Sequence, residues 1–512
     1  MSYRKFVLLI AICFAGAFAQ SYPTHNVNRP YTLRYLDYSP LLYRYHDMTT
    51  GSVPQTFFYP QVDSSFREKK DTSSLIFWHA ENGRGKLNIS PVFAWDIRGG
   101  KAFGDTITGY EGGMFMSGYI DSVEFWLDAR IFTESHAEKD QGKWRSWDRE
   151  FIEIQGNNKP DDVSGLLDEV PYSSYARYRG HIAMRMGWAV LDFGRDAQHW
   201  GPGYYNNLSL NQASVPYNQM SLSTKIGPLS VKSLYGDLDP GEGCAEDSRH
   251  CSMGKKVSRN LYGHRYELDF GNLMLGISEL QIVYDLNHYW LFLPIVPLFM
   301  EKGNYSEDHN SGSIAFDFSY RFPIGLRLYS EFFLGDMESP QSLIRNDNIE
   351  AKWAWMAGVE YAKNFGAWKA GSIAEYSRIE PYIYTHFDPY TAQFAHLNYP
   401  IGSQAGPHSQ SIDWLVYAKH AKHFQVQLKQ GWLWKGECAS DLNFPTPRFD
   451  HHSTGKYDGC EERHFLDGAK VQYTFAPAIA YMSRHYAISV ENSRVFPRDR
   501  GNAFVARAMF LW

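Results

Sequence analysis

The sequence predicts an all-β chain, a closed transmembrane antiparallel β-barrel of about 18 strands with long extracellular loops. The prediction rests on three observations: a two-residue alternation over long segments, an export leader, and a succession of short turns and long links. From Ile314 the even positions Ile314, Phe316, Phe318, Tyr320 and Phe322 are apolar, with Ala315, Asp317, Ser319 and Arg321 between them. Period two with one polar face marks a strand. The same rhythm sets Val123, Phe125, Leu127, Ala129 and Ile131 against Glu124, Asp128 and Arg130. It also sets Phe424, Val426, Leu428, Trp432 and Trp434 against Gln425, Gln427 and Lys429. Trp353, Trp355, Ala357, Val359 and Tyr361 form a further such face. A strand of about 10 residues crosses a bilayer when tilted, whereas strands of soluble sandwiches typically have about 5 or 6. Length and the 16% of aromatic residues favour the membrane.

Residues 1–19 read as a signal peptide. Arg4 and Lys5 precede an apolar run, Phe6 to Phe18, that ends at the small-residue site Ala17-Phe18-Ala19. The run is too short to span a bilayer as a helix. Residues 20–87 form a poorly defined N-terminal periplasmic segment, punctuated by Pro23, Pro30, Pro40, Pro54 and Pro60, and residues 88–512 form the barrel. Export and barrel together predict the cell outer membrane.

The formal charge is −6. Without Arg4 and Lys5 it becomes −8, from 48 basic and 56 acidic residues. This mild acidity argues against nucleic-acid binding. No run of eighteen apolar residues exists, which excludes a helical membrane protein. The nearest approach, Tyr289–Met300, is broken by Pro294 and Pro297.

Strands are expected to start near residues 88, 109, 122, 176, 188, 217, 229, 260, 272, 314, 324, 352, 367, 412, 424, 466, 480 and 502. Short turns fall near Gly187, Ile226–Pro228, Gly271, Pro323, Asn364–Gly366, Lys422 and Pro477. Long links cover 134–175, 196–216, 237–259, 286–312, 336–351, 379–411, 436–465 and 493–501. That division matches short periplasmic turns and long extracellular loops. Four cysteines survive cleavage as two local pairs in long links, Cys244 with Cys251 and Cys438 with Cys460. In an oxidising compartment these read as disulfides. Neither pair has the CxxC spacing of a metal site, and no cofactor motif is present.

The chain is organised around Leu191–Thr224. Leu191 and Phe193 share one strand face and Asp192 the other. Gly194 reads as a turn, followed by Arg195 and Asp196 and by a loop holding Trp200, Gly201, Pro202, Gly203, Tyr204 and Tyr205. Sugars are held by flat aromatic faces together with polar groups, which Trp200, Tyr204, Tyr205, Asn206 and Asn207 could supply. The alternative is an inward loop, with WGPG packed on the wall and Arg195 and Asp196 paired in the lumen. Trp144 and Trp147 offer a second aromatic pair. Asp308–His309 and Asp450–His451–His452 place carboxylates beside imidazoles, but no nucleophile motif accompanies them, so the chain is expected not to be an enzyme.

The wording GRD…HWGPGY, carried by Gly194, Arg195, Asp196, Trp200, Gly201, Pro202 and Gly203, resembles the signature of the capsule assembly Wzi family. The resemblance continues in Tyr329–Asp336, Glu375–His386, Ile401–Pro407 and Ser409–Asp413, and so runs through most of 88–512. It implies an eighteen-stranded, monomeric outer-membrane barrel that holds capsular or other surface polysaccharide without cleaving it. Outer-membrane lipid surrounds such a barrel, and barrel assembly machinery inserts it. The last strand, with Phe504, Ala506, Ala508, Phe510 and Trp512 on one face, looks like the terminal signal read by that machinery. The family's best-known members carry a periplasmic helical bundle, from which the proline-rich segment 20–86 departs. The competing class is a channel, since lumenal Asp317, Arg321, Arg327, Glu331 and Lys429 carry both charge signs and 18 strands leave room for a pore.

Overall fold

The structure, a computed structural model, describes residues 85–99, 107–135, 172–211, 216–239, 256–284, 289–298, 310–335, 352–384, 393–396, 399–403, 405–420, 424–436, 465–482, 486–496 and 502–511. It also describes short pieces at 76–79, 152–153, 214, 241–242, 449–450 and 456–457. The signal peptide, all four cysteines of the two pairs, Trp144, Trp147, Asp308, His309, His451, His452 and Trp512 lie outside the described residues. So does most of 20–87.

The described chain is an antiparallel sheet of 20 strands with three separate two-stranded ribbons. Its longer strands are β1 (Gly85–Gly99), β2 (Ile107–Ile120), β3 (Val123–Ser135), β4 (Tyr172–Arg185), β5 (Ala189–Asp196) and β6 (Tyr217–Ile226). There follow β7 (Leu229–Asp237), β8 (Arg259–Asp269), β9 (Leu273–Tyr284), β10 (Asn310–Arg321), β11 (Leu326–Leu334) and β12 (Trp353–Phe365). The remainder are β13 (Trp368–Ile379), β14 (Ser409–His420), β15 (Phe424–Lys435), β16 (Lys470–Met482), β17 (Tyr486–Phe496) and β18 (Asn502–Leu511). Each pairs with the next, and β18 pairs back onto β1 from Leu511↔Val92 to Phe504↔Gly99, so the pairings run in a ring. The short strand Ile76–His79 takes the part of β1 that β18 leaves free, pairing Ile76 with Ile89 and His79 with Lys86.

Short turns and long links alternate around the ring. The short turns centre on Asp121, Gly187, Gly227, Gly271, Gly325 and Gly366, all at positive φ. Left-handed backbone of this kind is open to glycine and tolerated by Asp. One expected turn is misplaced. Pro477 lies inside β16, opposite Leu428. The β16–β17 ladder lapses between Phe475↔Arg494 and Ala478↔Glu491, which spares Pro477 the N–H it lacks.

Burial divides several strands between two faces, β10 most clearly. On β10, Phe316, Phe318 and Tyr320 are exposed while Asp317, Ser319 and Arg321 are buried. Elsewhere Phe93, Trp95, Ile182, Phe193 and Trp355 are exposed, and Arg179, Arg265, Arg327, Glu331, Glu360 and Glu375 are buried. Water-soluble folds do the reverse. The main apolar cluster sits on the inner face and includes Trp200, Leu210, Leu261, Leu280, Phe333 and Met356. Among the described residues no helix is long and apolar enough to cross a membrane.

Candidate functional site: an inward loop held by two glutamates

The site begins on β5. Gly194 is not a turn, because the strand continues through it to Asp196, and Gly194 stands opposite His181 of β4. Nor do Arg195 and Asp196 pair. Successive strand residues point to opposite faces, so Asp196 enters the ring and meets Arg179 at 2.9 Å. Arg195 turns outward, 5.0 Å above the Tyr178 ring. Asp192, also inward, meets His181 Nδ1 at 2.7 Å. Asp196 then redirects the chain by accepting the Ala197 N–H at 2.9 Å.

Beyond Asp196 the loop folds into the ring. Gln198 bridges two wall residues, donating to Gln219 at 2.7 Å and accepting from Lys232 at 2.9 Å. Trp200 is 0% exposed and its backbone N–H donates to Leu210 O at 3.0 Å, closing the loop on itself. The indole is seated against Gly263 of β8, where an added Cβ would lie 2.8 Å from Trp200 Cη2. Gly201 sits at φ +110°, and a Cβ there would come within 2.7 Å of the Glu331 carboxylate. Only glycine meets both demands.

A non-helical segment inside a ring leaves backbone N–H groups that need acceptors. Two wall glutamates supply them. Glu375 of β13 accepts the N–H groups of Tyr204, Tyr205 and Asn206, the last two at 2.7 and 3.1 Å, and also the Tyr329 hydroxyl at 2.8 Å. Glu331 of β11 accepts the N–H of Leu208 at 2.7 Å and of Ser209 at 2.9 Å, together with the Ser209 hydroxyl. Two further contacts fix the loop's direction. Arg327, paired with Glu360 at 2.7 Å, donates to Pro202 O at 2.9 Å, and Asn206 donates to Asp413 of β14 at 3.0 Å.

A second segment covers the first. Tyr384 stacks on Phe394 with centroids 5.3 Å apart, and its hydroxyl donates to Leu208 O at 2.7 Å. Burial raises the Tyr384 phenol above its ordinary pKa, keeping it a donor. The Asn211 backbone N–H donates to Ile401 O at 2.8 Å.

Of the residues read from the sequence as a sugar platform, Trp200, Tyr204, Asn206 and Asn207 are therefore buried within the loop's own seat. Tyr205 is half-buried, and Lys429 Nζ lies 4.2 Å from its ring centroid. Asp450 lies in the two-residue strand Phe449–Asp450. Among the described residues no group of three or more His, Cys, Asp or Glu could hold a metal. Sequence reasoning missed Glu375, Asp413 and Glu360 as partners of the loop, and took Glu331 only for a lining residue. Glu331, Glu375 and Asp413 each lie on a strand inside one of the quoted stretches, whereas Glu360 lies outside them, on β12.

Fold and site together define a class: an antiparallel β-ring with an apolar outer face and a loop of its own anchored inside. No protein-family model matches the chain, and no curated protein matches it. Among solved structures it resembles Wzi of Escherichia coli, described as a carbohydrate-binding β-barrel involved in group 1 capsule assembly. That match has 13% identity, covers 82% of this chain and 84% of that one, and has a TM-score of 0.48. It also resembles OccAB1 of Acinetobacter baumannii, at 11% identity over 86% and 99% of the two chains with a TM-score of 0.43. OccK2 of Pseudomonas aeruginosa, solved with glucuronate, matches at 9% identity over 83% and 96% with a TM-score of 0.39. At such identities and TM-scores below 0.5, no function passes from these proteins to this chain.

Proposed function

We propose that the chain is an outer-membrane β-barrel of 18 strands, of the capsule assembly Wzi type, that holds surface polysaccharide at the cell exterior without cleaving it. An apolar outer face around a charged interior suits lipid outside, and pairing around a ring supplies ladder partners that lipid cannot. The short-turn side faces the periplasm and the long links face out. The observation that carries the reading is the pair of glutamates holding loop 197–211 across the lumen.

Stretches far apart in sequence converge on that loop. Glu331 lies in Tyr329–Asp336, Glu375 and Tyr384 in Glu375–His386, Ile401 in Ile401–Pro407 and Asp413 in Ser409–Asp413. These are the stretches that resemble the family, and their shared task is to keep the loop in place. A loop anchored across the lumen suits a holding role better than free passage of solutes. Polysaccharide then meets the loop at Tyr205, its one aromatic still partly exposed, which packs beside Ile373 and Leu415.

The test compares surface polysaccharide retained by cells with the protein, without it, and with Tyr205→Ala and Trp200→Ala together. Loss of retention with the barrel still inserted supports the reading. Equal retention with and without the protein overturns the holding role.

A further inference from the structure

The stretch 289–298, YWLFLPIVPL, does not extend away from the ring. It opens with the short 3-10 turn Tyr289–Phe292 and lies back against the outer face of β8 and β9. Leu291 and Leu298 pack on Tyr262 and Val283. The Tyr266 hydroxyl donates to Pro294 O at 2.5 Å, and the Leu298 N–H donates to Glu279 at 3.3 Å. The strap's own outer surface is apolar and uncharged, with Tyr289 72% and Ile295 83% exposed beside Trp290 and Leu293. It continues the exposed band formed lower on the same strands by Leu268, Leu275 and Ile277.

The face beneath the strap also carries polar groups. The outer-facing residues of β7 to β10 form a grid whose register is fixed by pairing: Ser233 opposite His264, His264 opposite Glu279, Tyr262 opposite Gln281, and Val283 opposite Asn310. His264, Gln281 and Ser233 are 0% exposed and Asn310 is 2% exposed. Both His264 nitrogens, both ends of the Gln281 amide, Ser233 Oγ and Asn310 Oδ1 make no hydrogen bond. Glu279 is 3.8 Å from His264. Buried polar groups normally have partners, because each unsatisfied one costs about 1–3 kcal/mol. Four such side chains lie buried and unbonded on the face against which the strap packs.

We infer that the strap and this grid form a binding site for the sugar headgroup of an outer-leaflet glycolipid. Hydroxyl, amide and imidazole groups with one carboxylate and no Lys or Arg suit hydroxyls and disfavour phosphate. The uncharged strap beside them suits acyl chains, so the occupant carries a polyol head and apolar tails. The inference rests on the membrane reading above.

The full chain is reconstituted in phosphatidylcholine vesicles containing glucosyl-diacylglycerol or unglycosylated diacylglycerol, transferred to detergent, and its retained lipid measured by mass spectrometry. Wild type should retain the glucosyl lipid preferentially, and His264→Leu with Gln281→Leu should lose about tenfold of that retention. Ser233→Ala, which adds no bulk, should weaken retention in the same direction if the double variant folds poorly. Equal retention of both lipids by wild type, or unchanged retention in both variants, would overturn the site. Heat-modifiable gel mobility of each sample reports insertion separately, so failure of the membrane reading shows as absence of the folded band.

Discussion

Glu375 on β13 accepts the backbone N–H of Tyr205 at 2.7 Å, joining residues 170 positions apart. With the neighbouring N–H groups of Tyr204 and Asn206 on the same carboxylate, this makes one side chain the anchor for half a turn of lumenal backbone. Bonds to a charged acceptor are worth roughly 1.5–3 kcal/mol each. Glu375→Gln keeps the size but turns an amide N–H₂ toward backbone donors. It should lower unfolding stability by about 1–3 kcal/mol, read by urea titration of the folded gel band. A loss near zero would mean the anchor is dispensable.

The seat of Trp200 should be as sensitive. Truncating a fully buried Trp to Ala costs about 3–5 kcal/mol, and Gly263→Ala, which places a Cβ against the indole, should displace the loop without removing it. Limited proteolysis within 197–211 should become faster in both variants. Protection equal to wild type in Gly263→Ala would show that the indole is not held there.

Arg327 reaches Glu360 and Pro202 O with different nitrogens while lying 4.0 Å from the Tyr329 ring centroid. Lysine presents one point charge and cannot make that fork. Arg327→Lys should destabilise the barrel, and Arg327→Met more so, since an unpaired Glu360 would remain buried at a cost of about 3–5 kcal/mol. The order of the two variants in a denaturant series checks this, and Met milder than Lys would contradict it.

The two faces of β10 give a sharp contrast. Phe318→Arg on the outer face should cost roughly 2–4 kcal/mol if near the bilayer midplane, whereas Ser319→Ala on the inner face should cost little. Equal effects on heat-modifiable mobility would undo the assignment of the outer face to lipid.

These predictions mark where the sequence was legible. A side-chain period of two survives any tertiary context, so the alternation at 314–322 and 424–434 located β10 and β15 and their facing. Pro477 misled because a proline usually breaks a ladder, whereas here the lapse lies on one edge of β16 only. Gly194 misled for a similar reason: a glycine inside a strand marks close approach, here of the His181 ring, as readily as a turn. The destination of WGPG was open because its partners lie in distant stretches. Nothing local to Trp200 indicates that Glu331 and Glu375 will meet the next residues along.

The most direct test of the account is planar-bilayer conductance of the wild-type barrel against Glu331→Gln with Glu375→Gln, both inserted. The account predicts a wild type that is closed or nearly so and a double variant that conducts steadily, because the loop that crosses the lumen has lost both carboxylate anchors. A wild type already conducting like an open pore, unchanged in the double variant, would contradict it.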